Sequence, residues 1–114
     1  ADLTGATLWS SNVWKSSFAS AKLRDANLTN GNRTYANFAN ADLRGADFYN
    51  GDFYGATFIG ADLRGTNLSN ARLDRADLTD ANLQGAVGSA YTTFGAIFCR
   101  TVLPDGTLSN TSCP

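Results

Sequence analysis

Several residue types are missing from this sequence, and each absence excludes a class of function. The 114 residues contain no histidine, glutamate or methionine, and only two cysteines and two prolines. Without an imidazole there is no serine or cysteine triad of the usual kind, and no zinc site built on histidine. No apolar run approaches the roughly 20 residues that a membrane-spanning helix needs. We therefore expect no enzymatic activity and no insertion into a membrane.

The charges are almost balanced. Nine Lys and Arg residues oppose ten acidic residues, all of them Asp, which gives a net charge of −1. This balance disfavours binding to nucleic acid or to anionic membranes through bulk charge. The aspartates follow no dedicated calcium-loop pattern and have no sequence feature that would raise their pKa values. We expect no catalytic residue, no bound metal, no cofactor and no nucleic-acid partner.

A five-residue repeat dominates the chain. A large apolar residue recurs at every fifth position from Leu3 to Leu83, with Arg33 as the one exception. Two residues before each of these centres stands a small residue, most often Ala, and the residue between them is usually Asp or Asn. The centres are Leu3, Leu8, Val13, Phe18, Leu23, Leu28, Arg33, Phe38, Leu43, Phe48, Phe53, Phe58, Leu63, Leu68, Leu73, Leu78 and Leu83.

A period of five fits neither a helix nor a flat strand. A helix would spread the centres around its surface, and a strand would place successive centres on opposite faces. The pattern is satisfied if the chain turns a corner every five residues, so that the centre and the small residue both point inward. Gly or Asn at the last position of the unit suits a turn with positive φ. Four units would then make one coil, which stacks residues twenty apart, as in Leu23, Leu43 and Leu63.

Units such as Ala41-Asp42-Leu43-Arg44-Gly45 resemble the pentapeptide-repeat family, whose consensus is A(D/N)LXX. The resemblance covers residues 1–85. It implies an all-β fold, a right-handed quadrilateral parallel β-helix, here of about four coils. We expect residues 1–85 to form this β-helix and residues 86–114 to form a short C-terminal cap.

The C-terminal segment departs from the repeat after Gly85. We expect a short helix or irregular structure over residues 89–98, followed by a small hairpin around Pro104-Asp105-Gly106. Cys99 and Cys113 bracket this turn. A disulfide between them would close a loop of about 15 residues and contribute about 3 kcal/mol. Two free thiols are the alternative.

A disulfide implies an oxidising compartment. A repeat domain with a tail bracketed by cysteines is similar to the small thylakoid-lumen members of the family in cyanobacteria and chloroplasts. The resemblance implies a mature chain that follows a removed targeting peptide, which agrees with the missing methionine. The bacterial periplasm is the alternative compartment.

Stacking by twenty predicts an outward charge ladder. It places Arg24, Arg44 and Arg64 in one column, with Asp42 and Asp62 beside them. A bare arginine column could bind phosphates or carboxylates. We favour the alternative, in which the aspartates neutralise the column and the exposed pairs contribute under about 1 kcal/mol each.

Aromatic residues gather at one corner of the coil. Trp9, Trp14, Tyr49 and Tyr54 occupy two adjacent outward columns, and Tyr35 is nearby. Exposed aromatic residues are enriched in protein interfaces. These five residues are the candidate interaction surface; alternatively they only fill outward positions, or the tryptophans pack under an N-terminal cap.

Arg33 violates the core pattern. An inward guanidinium without a partner would cost several kcal/mol. Because the repeat resumes in register at Phe38, we expect residues 31–35 to bulge and to turn Arg33 outward. The bulge would be either a recognition feature or a tolerated defect.

These observations favour a non-enzymatic structural or protein-interaction module, with an unidentified protein partner. We expect a monomer, with a dimer formed through the open edge of the β-helix as the alternative. The resemblance also implies a second function, because some family members mimic DNA and bind gyrase; the net charge of −1 and the arginine column disfavour it. A small-ligand or cation binder is a third candidate, although we expect side chains to fill the interior and leave no pocket.

Overall fold

The computed structural model describes residues 2–8 and 16–113 of the chain. Parallel backbone bridges join residues that are twenty positions apart, from Asp2↔Lys22 at one end to Asn82↔Val102 at the other. The chain is therefore wound as a parallel β-helix that advances by one coil every twenty residues. This confirms the predicted stacking period.

Each five-residue unit whose last residue is described ends in a turn with a left-handed backbone. The last residue has a φ of 57° at Asn30, 55° at Asn50 and 70° at Gly45. Asn and Gly tolerate this conformation better than other residues, so their recurrence at this position has a steric cause. The turn is closed by the next small residue, as where the Ala26 N–H donates to the Leu23 carbonyl at 3.0 Å.

The Asp or Asn of each unit has a role that the sequence analysis did not identify. Its side-chain oxygen accepts a hydrogen bond from the N–H two residues later, as from Tyr49 to Asp47 and from Tyr54 to Asp52, both at 3.0 Å. This is an Asx turn, which satisfies a backbone donor at the corner of the coil.

The core has the predicted composition. From residue 21 to residue 83, the small residue and the centre of each unit both point inward, and pairs such as Ala46 and Phe48 are fully buried. Three phenylalanines of one column, Phe18, Phe38 and Phe58, stack with centroids 5.2 Å apart and rings within 9° of parallel.

The coil continues beyond Gly85, although the sequence motif ends there. Val87, Thr92, Ile97 and Val102 each bridge to the residue twenty positions earlier. Of the two alternatives that we gave for residues 89–98, a short helix or irregular structure, the helix is wrong: the described residues contain no helix. The reason is that the N–H groups of Thr92 and Ile97 donate to carbonyls of the coil below, at 3.0 and 2.9 Å.

The chain ends in the predicted hairpin. Strand β1 (Thr101–Val102) pairs with strand β2 (Leu108–Ser109) in antiparallel fashion, with Thr101 opposite Ser109. The predicted disulfide between Cys99 and Cys113 is also confirmed, and it ties the end of the chain to the last coil.

Across the described ranges, no helix has the length and apolar character that crossing a bilayer requires.

We expect the phenylalanine column to dominate stability. Phe38 is fully buried between Phe18 and Phe58, so Phe38→Ala should lower the free energy of unfolding by about 3–5 kcal/mol. Ile59→Ala, which trims an exposed residue next to Phe58, should change it by under about 1 kcal/mol. Urea unfolding followed by circular dichroism measures both. Equal effects for the two variants would contradict this description of the core.

Candidate interaction surface

Two tyrosines of the predicted aromatic corner meet on the outside of the coil. The rings of Tyr35 and Tyr54 contact each other edge to face, with centroids 5.8 Å apart. Tyr35 is 51% exposed and Tyr49 is 43% exposed, whereas Tyr54 is half-buried. Trp9 and Trp14, the other two residues of the predicted surface, lie outside the described residues.

Arg72 completes this corner, and the sequence analysis missed it. Its guanidinium carbon lies 4.5 Å from the centroid of the Tyr54 ring, a cation–π contact. The same guanidinium pairs with Asp74 at 3.2 Å and with Asp52 at 3.6 Å. The hydrogen bond to Asp74 raises the pKa of Arg72. The stacking of residues twenty apart could have identified Arg72, because Arg72 lies twenty residues after Asp52.

The position of Tyr35 depends on the backbone beneath it. Tyr35 occupies the turn position and has a φ of 60°, which is unusual for a bulky residue. Its ring covers Gly55, where a Cβ atom would lie 2.5 Å from Tyr35 Cε1. A side chain at residue 55 would therefore displace the ring. We call Tyr35, Tyr49, Tyr54 and Arg72 the tyrosine–arginine surface.

The outward charge ladder is neutralised by ion pairs in the structure. Asp42 lies between Arg24 (3.6 Å) and Arg44 (2.8 Å), and Arg44 also reaches Asp62 at 3.7 Å. Arg64 closes the series with a pair to Asp62 at 2.6 Å, and this hydrogen bond lowers the pKa of Asp62. A further pair that the sequence analysis did not identify joins Arg100 to Asp80 at 2.6 Å.

Arg33 contradicts the expected bulge. The residue is fully buried at a centre position, and its backbone keeps the regular pairing, with the Arg33 N–H donating to the Asp52 carbonyl at 2.8 Å. The guanidinium donates to the carbonyl of Leu28 at 3.0 Å and to that of Leu8 in the preceding coil. It also lies 5.9 Å from the Phe53 ring centroid. Carbonyl oxygens and an aromatic face thus take the place of water around the charge.

Burial has a measurable consequence for Arg33. Removal from water lowers the pKa of Arg33 to about 10. The folded state therefore binds this proton less tightly than the unfolded state does. The resulting loss of stability is fully present below pH 10 and is relieved as the pH rises above it.

The expectation of a completely filled interior is wrong. A cavity of about 140 Å³ lies in the last coil, lined by Leu68, Leu73 and Leu83 together with residues of the C-terminal segment. No group of three or more Cys or Asp side chains able to hold a metal ion occurs within the ranges that the structure describes.

The fold and the repeat define the class of protein. The family model described as "Pentapeptide repeats" matches eight copies over residues 1–32, 21–58 and 58–87. The chain belongs to the pentapeptide-repeat family and forms the right-handed β-helix of that family. A comparison with curated proteins finds no significant match.

Two solved structures are similar over most of the chain. One is a pentapeptide repeat protein of the Arabidopsis thaliana thylakoid lumen, at 31% identity and a TM-score of 0.79, which covers 86% of this chain and 68% of that one. The other is a pentapeptide repeat protein from the cyanobacterium Cyanothece, at 30% identity and a TM-score of 0.79. That match covers 81% of this chain and 63% of the cyanobacterial one, so the chain spans slightly less than two thirds of its length.

We expect Arg33→Met to stabilise the protein at neutral pH, because the variant avoids burying a charge. The pKa shift indicates a gain of about 3 kcal/mol from removal of the buried charge, and the loss of the hydrogen bond to the Leu28 carbonyl offsets part of it. The difference in the free energy of unfolding between the variant and the parent should become smaller as the pH rises from 9 to 11, because Arg33 of the folded parent loses its proton. Urea unfolding at each pH measures it.

Arg24→Met is the matched control, because Arg24 is half-exposed. It should change the free energy of unfolding by under about 1 kcal/mol. The difference in this free energy between Arg24→Met and the parent should stay the same between pH 9 and 11. A loss of stability in Arg33→Met at pH 7 would show that the buried guanidinium holds the coil together.

Proposed function

We propose that the protein is a non-enzymatic protein-interaction module whose tyrosine–arginine surface contacts a protein partner. The contact of Arg72 with Tyr54, Asp52 and Asp74 is the observation that carries this proposal. Tyrosine and arginine are the residues most often found at the energetic centres of protein interfaces, together with tryptophan.

The surface is preorganised. Tyr54 is held between Tyr35 and Arg72, and the two aspartates fix the guanidinium from the other side. Side chains that are already ordered lose less conformational entropy when a partner binds. The backbone beneath them belongs to hydrogen-bonded coils, as where the Tyr35 N–H donates to the Tyr54 carbonyl at 2.8 Å. Such a surface suits a partner that presents a complementary rigid face.

The proposed compartment is the thylakoid lumen, with the bacterial periplasm as the alternative. Two observations support an oxidising space of this kind: the disulfide between Cys99 and Cys113, and the similarity to the Arabidopsis thylakoid-lumen protein.

The proposed coil is four-sided. Turns every five residues and bridges every twenty residues correspond to four sides, and residues 1–85 then make about four coils. We propose that residues 86–114 form a cap that extends the same coil, ends in the hairpin and is locked by the disulfide.

The charge ladder does not favour the gyrase-binding alternative. A DNA mimic presents an acidic surface, whereas each carboxylate of this ladder is paired with arginine. With three arginines against two aspartates, the ladder gives the protein a face of mixed charge that is not acidic, which agrees with a monomer.

The experiment replaces the three tyrosines of the tyrosine–arginine surface. Affinity capture from thylakoid-lumen extract identifies partners of the parent chain, and a direct binding measurement follows with each purified partner. The triple variant Tyr35→Ser, Tyr49→Ser, Tyr54→Ser should weaken binding by at least about 100-fold, since interface tyrosines contribute about 1–2 kcal/mol each or more.

A matched triple variant removes three exposed apolar side chains from elsewhere on the chain: Ile59→Ser, Val87→Ser and Leu108→Ser. It should bind with the affinity of the parent. The proposal fails if the two triple variants, both folded by circular dichroism, bind the partner equally well.

A further inference from the structure

The core of the last coil lacks two large side chains. Gly88 stands in the column of Leu68, and Thr93 stands in the column of Leu73, each twenty residues further along the chain. Backbone pairing keeps this register, because Leu68 N–H donates to the Val87 carbonyl (2.7 Å) and Leu73 N–H to the Thr92 carbonyl (2.8 Å). The coil therefore retains its width while losing the side chains that fill it.

The result is a cavity of about 140 Å³ with a buried floor and a partly exposed rim. Leu68, Leu73 and Leu78 form the floor and are at most 2% exposed. Tyr91 and Phe98 line it from the last coil and retain partial exposure. The cavity is thus open to solvent on one side and apolar at its base.

The hairpin provides the remaining wall. Leu103 and Pro104, which follow strand β1, line the cavity, and the Gly85 N–H donates to the Pro104 carbonyl at 2.9 Å. The disulfide from Cys99 to Cys113 restrains the segment after the hairpin. Backbone hydrogen bonds therefore hold the chain segments of both the wall and the floor in position.

The lining specifies the chemistry of a ligand. No charged residue lines the cavity, and the only polar side-chain groups are the hydroxyls of Tyr91 and Thr93. An enclosed apolar cavity of about 150 Å³ is known to admit benzene, and the cavity of this protein, although open on one side, has a similar volume. We propose that this cavity is a binding site for a small uncharged aromatic ring, of the size of benzene or phenol. The site is separate from the tyrosine–arginine surface.

Phenol is the probe for this site. Titration of the full chain should shift the methyl resonances of Leu68, Leu73 and Leu83 in a saturable manner and leave those of Leu23 and Leu43 unchanged. At tenfold excess over the dissociation constant, the melting temperature should rise by about 5 °C. Benzoate has the same ring with a negative charge and should not bind, because no cationic side chain lines the cavity.

Two variants locate the site. Thr93→Leu places a leucine above Leu73 and should abolish both effects of phenol. Thr57→Leu makes the same substitution at an outward position, whose column holds Ile97, and should leave both effects intact. If Thr93→Leu does not fold, the phenol-induced shifts of the Leu68, Leu73 and Leu83 methyl resonances in the parent chain decide whether phenol binds in the cavity. The proposal is overturned if phenol does not shift these methyl groups, if benzoate binds equally well, or if folded Thr93→Leu still responds to phenol.

Discussion

The narrow interior of the coil is the constraint on which the rest of the structure depends. In the units from residue 21 to residue 83, one large and one small side chain point inside, and the backbone pairs with the neighbouring coils. Leu43 shows both features: it is fully buried, and its N–H donates to the Asp62 carbonyl at 2.8 Å. The positive φ at each corner, the Asx turns and the outward ladders all follow from this arrangement.

Arg33 shows how strong this constraint is. A bulge that exposed the side chain would break a run of hydrogen bonds to the next coil, including those of Arg33 to Asp52 and of Tyr35 to Tyr54. Each is worth about 1 kcal/mol, and an unpaired buried donor costs more. The opposing term is the burial of one charge, which the Leu28 and Leu8 carbonyls and the Phe53 ring partly offset. The backbone hydrogen bonds between coils outweigh the cost of burying the charge, so Arg33 stays inside.

Much of the fold could be predicted from the sequence because the repeat is uniform. The period of five, the inward Ala and Leu and the stacking by twenty depend only on residue size and turn preference. The fate of Arg33 was not predictable in this way, because it depends on carbonyls supplied by residues 5 and 25 positions away. The coil between Gly85 and Val102 was missed because backbone pairing maintains it without the motif. Stacking by twenty places Arg72 beside Asp52, but the contacts of Arg72 with Tyr54 and Asp74 depend on side-chain conformations that the repeat does not specify.

Both proposed sites consist of features that the repeat does not determine. The tyrosine–arginine surface lies on the outward positions, which do not have to fill the core, although Tyr35 also adopts the positive φ of a turn position. The cavity lies above Leu68 and Leu73, where the next coil supplies only Thr93 to the interior and Gly88 contributes no side chain, so the rule of one large side chain per unit fails. The proposed functional sites therefore lie on outward positions or in units that depart from the motif, and the remaining units provide a rigid frame.

The most direct test of this account is an insertion that preserves or breaks the repeat. A tandem duplication of residues 41–60 adds twenty residues in register, and the account predicts a folded protein that melts at or above the temperature of the parent. A duplication of residues 41–58 adds nearly the same length but shifts every later centre, and it should lower the melting temperature sharply or prevent folding. Equal melting temperatures for the two insertions would contradict the account.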